Sequence, residues 1–205
     1  MYKQYKRLAS IPLPIDVTEK KDQLRELLVS RCSYREFSGK PISTKQLSNL
    51  LYYSAGLVRP DRRPYPFAGK WPSLEIYLWI RKGGDIKRGV YHYDPATHSL
   101  EVLLQPVVIE DAQDIWMGQE WQMKAAIIGF VTAVYVPIMS RYGPWGAPFP
   151  LIEAGHFMQN VYLLCPPLGL GCCSIGRFRE SEVIRFLDLD PHEEYPVYYF
   201  ALESL

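Results

Sequence analysis

Residues 89–104, GVYHYDPATHSLEVLL, constrain the fold more than any other stretch of the chain. Two runs of aromatic and branched residues flank Pro95–His98, which has turn composition. The pattern predicts a hairpin, and a hairpin requires antiparallel strands. Further strand-like runs are LEIYLWI (74–80), residues 125–135, GLGCCSI (169–175) and YPVYYFAL (195–202). Helical patterns cover 18–31, 42–56, 107–122, 136–142, 151–165 and 179–187. In the second of these, Ser43 and Gln46 form a capping box, Leu47, Leu50 and Leu51 share one face, and Gly56 ends the helix. There is no strict βαβ alternation. With the hairpin, that predicts the α+β class.

Two Pro/Gly-rich segments interrupt the pattern. RPDRRPYPFAGKWPS (59–73) holds four prolines and a glycine, and RYGPWGAPFP (141–150) is similar. Both read as loops, and loops this long are functional or disordered. Residues 1–16 read as an extended basic arm, and 17–205 as one domain. The 205 residues suffice for one full core.

A net charge of +1 excludes bulk attraction to nucleic acid or an anionic membrane, so neither partner is expected. The N-terminus lacks an apolar signal region, and the apolar run 125–138 is too short for a bilayer. Cys32, Cys165, Cys172 and Cys173 have no metal-ligand spacing. They read as reduced, small buried hydrophobes in a cytoplasmic protein, with no metal site.

RCSYREF (31–37) places two arginines four residues apart around a hydroxyl, just after a helical pattern. Such a stretch is either a solvated helix end or an anion clamp. Charge-assisted bonds from arginine forks and a hydroxyl suit a phosphate.

Four segments in order carry a family resemblance. RCSYREF matches R-x-S-x-R-x-F. PFAGKWPSLEIY (66–77) is close to P-S-A-G-A-x-Y-P-L-E-I-Y. GVYHYDPATHSLEVL (89–103) is close to G-V-Y-H-Y-D-P-x-x-H-x-L. LIEAGHFMQNVYLLCPPLGLG (151–171) is close to L-x-E-A-G-H-x-x-Q-N-x-x-L-x-A-x-x-L-G-L-G. The chain thus resembles the nitroreductase family of FMN-dependent oxidoreductases, and more narrowly its SagB-type branch.

The resemblance implies a central, mostly antiparallel sheet flanked by helices, in a domain-intertwined homodimer with FMN at the interface. It implies ping-pong hydride transfer through flavin N5, with NAD(P)H as donor and a nitroaromatic or quinone-like small molecule as acceptor. Arg31, Cys32, Ser33 and Arg35 would hold the FMN phosphate and ribityl chain. Pro66, Phe67, Ala68, Gly69 and Lys70 would reach the flavin from the partner subunit, and Gly69 could take backbone angles closed to other residues. Glu153, Ala154 and Gly155 would open a helix with their amides at N5. His156 is a candidate proton donor and Tyr142 a candidate base. His92, Gln159 and Asn160 read as structural polar residues.

The chain also departs from the pattern. Phe67 replaces a serine, and Lys70 replaces Ala or Asn. Arg141-Tyr142-Gly143 stands where azoline dehydrogenases have K-Y-G, and Trp145 and Pro148 replace arginines frequent in the branch. The chain ends at ALESL without a basic tail, for which Arg177 is a candidate substitute. An azoline or small-ring dehydrogenase and a non-catalytic flavoprotein are the alternative readings.

Overall fold

The computed structural model describes residues 11–14, 22–105, 109–118 and 120–205. Among the described residues, six strands form one sheet: β1 (Leu74–Ile80), β2 (Gly89–Asp94), β3 (Ser99–Leu104), β4 (Ile127–Val134), β5 (Leu170–Ile175) and β6 (Glu194–Ser204). Their spatial order is β3-β2-β1-β4-β6-β5, and every neighbouring pair is antiparallel. The hairpin forms where its residues predict. Asp94 closes its turn by accepting from the Ala96 amide at 2.8 Å and the Thr97 hydroxyl at 2.6 Å.

Five α-helices among the described residues flank the sheet: α1 (Gln23–Ser30), α2 (Thr44–Ala55), α3 (Tyr135–Tyr142), α4 (Phe149–Leu164) and α5 (Glu180–Leu187). Strand alternation sorts side chains between two cores. Leu74, Ile76, Leu78 and Ile80 pack with Leu47, Leu50 and Leu51 of α2 and with Phe157, Met158 and Val161 of α4. Tyr77, Trp79, Phe130 and Tyr199 face the other way, onto Val183, Phe186 and Leu187 of α5 and onto Trp116. The central strands are covered on both faces, so they read as near-continuous apolar runs. The capping box of α2 is present. Gln46 N–H donates to Ser43 Oγ at 3.2 Å, and Ser43 N–H donates to Gln46 Oε1 at 3.1 Å.

The structure corrects several sequence expectations. The helix expected over 18–31 covers Gln23–Ser30, with Asp22 as its cap. Residues 18–21, and residues 1–10 and 15–16 of the expected arm, lie outside the described residues. Residues 107–122 are not one α-helix but two 3-10 stretches, Ile109–Trp116 and Glu120–Lys124. Met117 and Gly118, both at positive φ, stand between them. Residues 106–108 and 119 lie outside the described residues.

Residues 141–150 are not an irregular loop. They finish α3, make a 3-10 turn over Gly143–Gly146 and begin α4 at Phe149. Proline fits a first helical turn because its missing N–H has no acceptor there to lose. The buried-hydrophobe reading holds for Cys165, Cys172 and Cys173, but Cys32 is exposed.

Candidate functional site

The RCSYREF strap is held along the edge of β5. Arg31 caps α1, and its N–H closes on the Leu27 carbonyl at 3.0 Å. The chain then runs extended, and Tyr34 N–H donates to the Cys172 carbonyl at 2.8 Å. Phe37 is buried, edge-on to Tyr34 at 5.3 Å and stacked on Trp121 at 5.8 Å. Beyond it, the amides of Ser38 and Gly39 donate to the buried Glu203 carboxylate of β6.

Ser33 opens a chain of hydroxyls. Its Oγ lies 3.1 Å from the Tyr162 hydroxyl, which lies 2.9 Å from Ser174 Oγ and accepts from Ser174 N–H at 2.9 Å. Tyr198 donates to Ser174 Oγ at 2.8 Å. The Arg31 guanidinium sits 5.4 Å from the centre of the Tyr162 ring. The Arg35 guanidinium turns back to the Ser33 carbonyl at 3.5 Å. Its field partly offsets the burial that raises the Cys173 thiol. Neither guanidinium has an ion pair among the described residues. Two unpaired forks beside an ordered hydroxyl form a donor set for an oxyanion.

Arg177 is exposed, two residues past the end of β5 and three past Ser174. It therefore lies toward the strap's end of the sheet. Tyr162, Ser174 and Tyr198 were not among the expected site residues. Tyr162 sits inside the fourth motif segment, but its spacing does not reveal that it faces the strap.

A second cluster gathers the other predicted residues. Gly69 takes φ 58° and ψ 21°, and Lys70 follows at φ 63°. The left-handed conformation expected of Gly69 is therefore present. A Cβ at Gly69 would stand 2.3 Å from the Tyr142 hydroxyl, so the loop rests directly on Tyr142 of its own chain. Tyr142 packs edge-on to Phe149 at 5.2 Å, under the Arg141 guanidinium at 5.6 Å. Phe67 anchors the loop against Tyr65 at 6.5 Å and the core. Lys70 is exposed and pairs with Asp61 at 3.1 Å. Pro66, Phe67, Ala68, Phe149, Glu153 and His156 line a cavity of about 140 Å³.

Glu153, Ala154 and Gly155 do not open a helix. α4 starts at Phe149, and Ile152 N–H already bonds the Pro148 carbonyl at 3.2 Å. The amides of 153–155 are therefore engaged within the helix. Glu153 turns its side chain inward, where it accepts from Ser73 Oγ at 2.6 Å and from Ser73 N–H at 3.2 Å. Burial pushes its carboxyl above the usual range, and the Ser73 bonds oppose that rise. Its role in the fold is to lock the chain entering β1. Ala154 is buried, Gly155 faces open space and His156 is exposed in the cavity wall. Tyr162 lies six residues beyond His156, about 9 Å along the axis of α4. One helix therefore carries both clusters.

His92 is structural. It bridges Glu75 and Glu101 across three strands, with both contacts at 2.8 Å. Its bond to Glu75, then that to Glu101, outweigh burial and raise its pKa from 6.5 to about 9. A raised cationic pKa stabilises the fold fully below the unfolded value and is lost as pH climbs through the folded one. Stability should therefore fall between pH 6.5 and 9. The expected loss is about 1–2 kcal/mol, discounted because the Glu101 side chain is largely exposed. Urea unfolding across that range should show the slope in wild type and not in His92→Gln. Asn160 is also structural, donating to the Pro64 carbonyl at 3.2 Å.

Comparison with known proteins agrees with this architecture. The Nitroreductase family model matches residues 28–202. A Methanocaldococcus jannaschii protein assigned to the nitroreductases is 34% identical over 190 residues, covering 91% of this chain and 92% of that protein. A Ralstonia eutropha crystal structure with the same assignment superposes with TM-score 0.71 at 24% identity, over 95% of this chain and 87% of that one. A chain of the Escherichia coli microcin synthetase McbBCD, solved with truncated pro-MccB17, gives TM-score 0.79 at 19% identity, over 97% and 78%. The Vibrio harveyi NADPH:FMN oxidoreductase complexed with NAD+ gives 0.61 at 17%, over 89% and 69%. With its six antiparallel strands between two helical layers, the chain belongs to the nitroreductase family of oxidoreductases.

Proposed function

We propose that the protein is an FMN-dependent oxidoreductase that takes reducing equivalents from NAD(P)H and reduces nitroaromatic or quinone-like small molecules. The observation that carries this reading is the strap, with two arginines unpaired among the described residues beside the Ser33–Tyr162–Ser174 chain. That donor set fits the dianionic FMN phosphate. FMN, when bound, supplies hydride exchange at its ring nitrogen N5. Arg31 and Arg35 would bind the phosphate, and Ser33 would orient on it through Tyr162. Phe67 and Gly69 would shape the wall that excludes water, and His156 would hold a proton where the acceptor enters. The Vibrio harveyi neighbour, named for NADPH and FMN, supports the choice of donor and cofactor.

The same reading makes the working unit a homodimer. Leu24, Leu28 and Val29 of α1 are exposed apolar residues, the kind of face that a second subunit covers. The absorption spectrum of the purified protein, with mass identification of the released flavin, tests the cofactor. Light scattering should give about twice the 23.7 kDa chain mass. Recovery of FAD alone, a colourless protein or a flavin-loaded monomer would defeat the reading.

A second reading, dehydrogenation of a peptide azoline or small ring, is supported by the Tyr142 hydroxyl at the Gly69 loop. The McbBCD complex that contains one structural neighbour was solved with truncated pro-MccB17 bound. A guanidinium does not serve as a general base, so Tyr142 would be the sole base of that pair. Reduction of a quinone needs no such base. Tyr142→Phe is therefore expected to leave NADH-dependent quinone reduction within about tenfold of wild type. Wild-type oxidation of an azoline peptide, abolished by Tyr142→Phe, would replace the first reading with the second.

A further inference from the structure

The loop before Gly69 borders a second, larger cavity, open to solvent and of about 720 Å³, that neither the strap nor His156 explains. Arg59, Arg62, Arg63 and Lys70 line it, opposed by the single carboxylate of Asp61. Lys70 and Asp61 answer each other at 3.1 Å. Three guanidiniums are left without an ion pair among the described residues. The turn that presents two of them is built, since Arg62 N–H bonds the Arg59 carbonyl at 3.0 Å and Val58 N–H bonds the Arg62 carbonyl at 3.1 Å.

Arg63 differs from the other two because it is only 9% exposed. Its Nη1 is anchored on the Ala55 carbonyl at 2.7 Å. Its Nε and the hydroxyl of the buried Tyr65, another lining residue, have no hydrogen-bond partner among the described residues. The Arg63 guanidinium is near enough to the Tyr65 hydroxyl for a weak, poorly aligned hydrogen bond that opposes the burial-driven rise of the phenol, and the Tyr65 hydroxyl proton itself has no acceptor among the described residues. Buried polar atoms are ordinarily satisfied, and unpaired ones point to a missing acceptor.

An oxyanion would supply that acceptor, and three arginine forks match a phosphate monoester better than a single carboxylate. The space exceeds that of a bare anion and lies within the range of small-molecule sites. Pro66 and Phe67 line this cavity and also the one containing His156. A ligand with its phosphate among the arginines can therefore extend toward the proposed reaction site.

We infer that Arg59, Arg62 and Arg63 form the site for the 2′-phosphate of NADPH, which makes the protein selective for the phosphorylated nucleotide. This rests on the reductase reading above. The adenosine-side ribose phosphate enters the basic cavity, and the nicotinamide end lies toward His156.

Calorimetric titration of the purified protein with adenosine 2′,5′-bisphosphate, 5′-AMP and inorganic phosphate tests the site without any turnover. The bisphosphate should bind roughly tenfold or more tightly than 5′-AMP, the weight of one or more charge-assisted phosphate contacts. Arg59→Ala and Arg62→Ala alter exposed side chains and should each reduce that preference with the fold intact by circular dichroism. Inorganic phosphate binding as tightly as the bisphosphate would overturn the nucleotide assignment. A preference retained in both variants, or absent in wild type, would overturn the site. The visible spectrum of the same samples reports flavin independently. Flavin without the preference removes this inference alone, and the preference without flavin removes the FMN reading alone.

Discussion

Arg31→Ala is expected to weaken FMN binding by roughly ten- to a hundredfold, the cost of one hydrogen bond to a charged group at about 1.5–3 kcal/mol. The geometry argues for the upper part of that range. Arg31 is half-buried and already ordered at the end of α1 and over the Tyr162 ring, so it would lose little side-chain entropy on meeting a phosphate. Its loss would also uncover Tyr162, the hydroxyl that positions Ser33. Fluorescence titration of the apoprotein measures the change. Affinity unchanged from wild type would return Arg31 to the role of a solvated helix end.

Glu203→Ala should produce the largest loss of stability and a secondary loss of cofactor. Glu203 is buried in β6 and receives three donors from the chain just after the strap. Ser38 N–H lies at 2.9 Å, Ser38 Oγ at 3.4 Å and Gly39 N–H at 2.6 Å. Gly39 takes φ 82°, a conformation open to glycine without strain. Alanine at 203 would leave two buried or half-buried amides unpaired, for an expected cost of about 3 kcal/mol. That is a large share of a typical domain's 5–15 kcal/mol or so. Glu203→Gln retains one acceptor oxygen and should recover part of the loss.

Urea unfolding reads the stability change. Hydrogen exchange over residues 31–39 reads the release of the strap, which a general weakening of the core would not single out. If Glu203→Ala stays within about 0.5 kcal/mol of wild type, an ordinary surface-substitution effect, the clamp is not holding the strap.

The end of the chain therefore has a role that its composition does not advertise. ALESL lacks the basic residues that the family resemblance implies there. In the structure it contributes a carboxylate that holds the arginine-bearing segment in place. Arg177, the expected substitute for a basic tail, lies past the opposite end of β5, since Ser204 pairs with Leu170 and Tyr199 with Ile175, and its side chain is solvent-exposed.

Local chemistry made much of the fold legible. The 89–104 hairpin, the Ser43–Gln46 capping box, the left-handed Gly69, the apolar face of α2 and the helix over 151–165 each depend on residues a few positions apart. Propensity, capping and side-chain period act over that range, so sequence alone determined them, and four motif segments in order identified the family. Where local signals compete, sequence reading failed. Prolines at 148 and 150 suggest a loop, but the first turn of a helix accommodates them, and that moved Glu153–Gly155 from the opening of α4 into its interior. Positive φ at Met117 and Gly118 broke a helical pattern that looked continuous.

The site itself was a tertiary decision. Ser33 meets Tyr162 across 129 positions, and Ser38 meets Glu203 across 165. Nothing in either neighbourhood marks which of 15 tyrosines or which carboxylate will be the partner. Those pairings depend on the register of β5 and β6 and on how α4 packs over the sheet. They exist only once non-local burial has brought the strap, the helix and the end of the chain to the same edge.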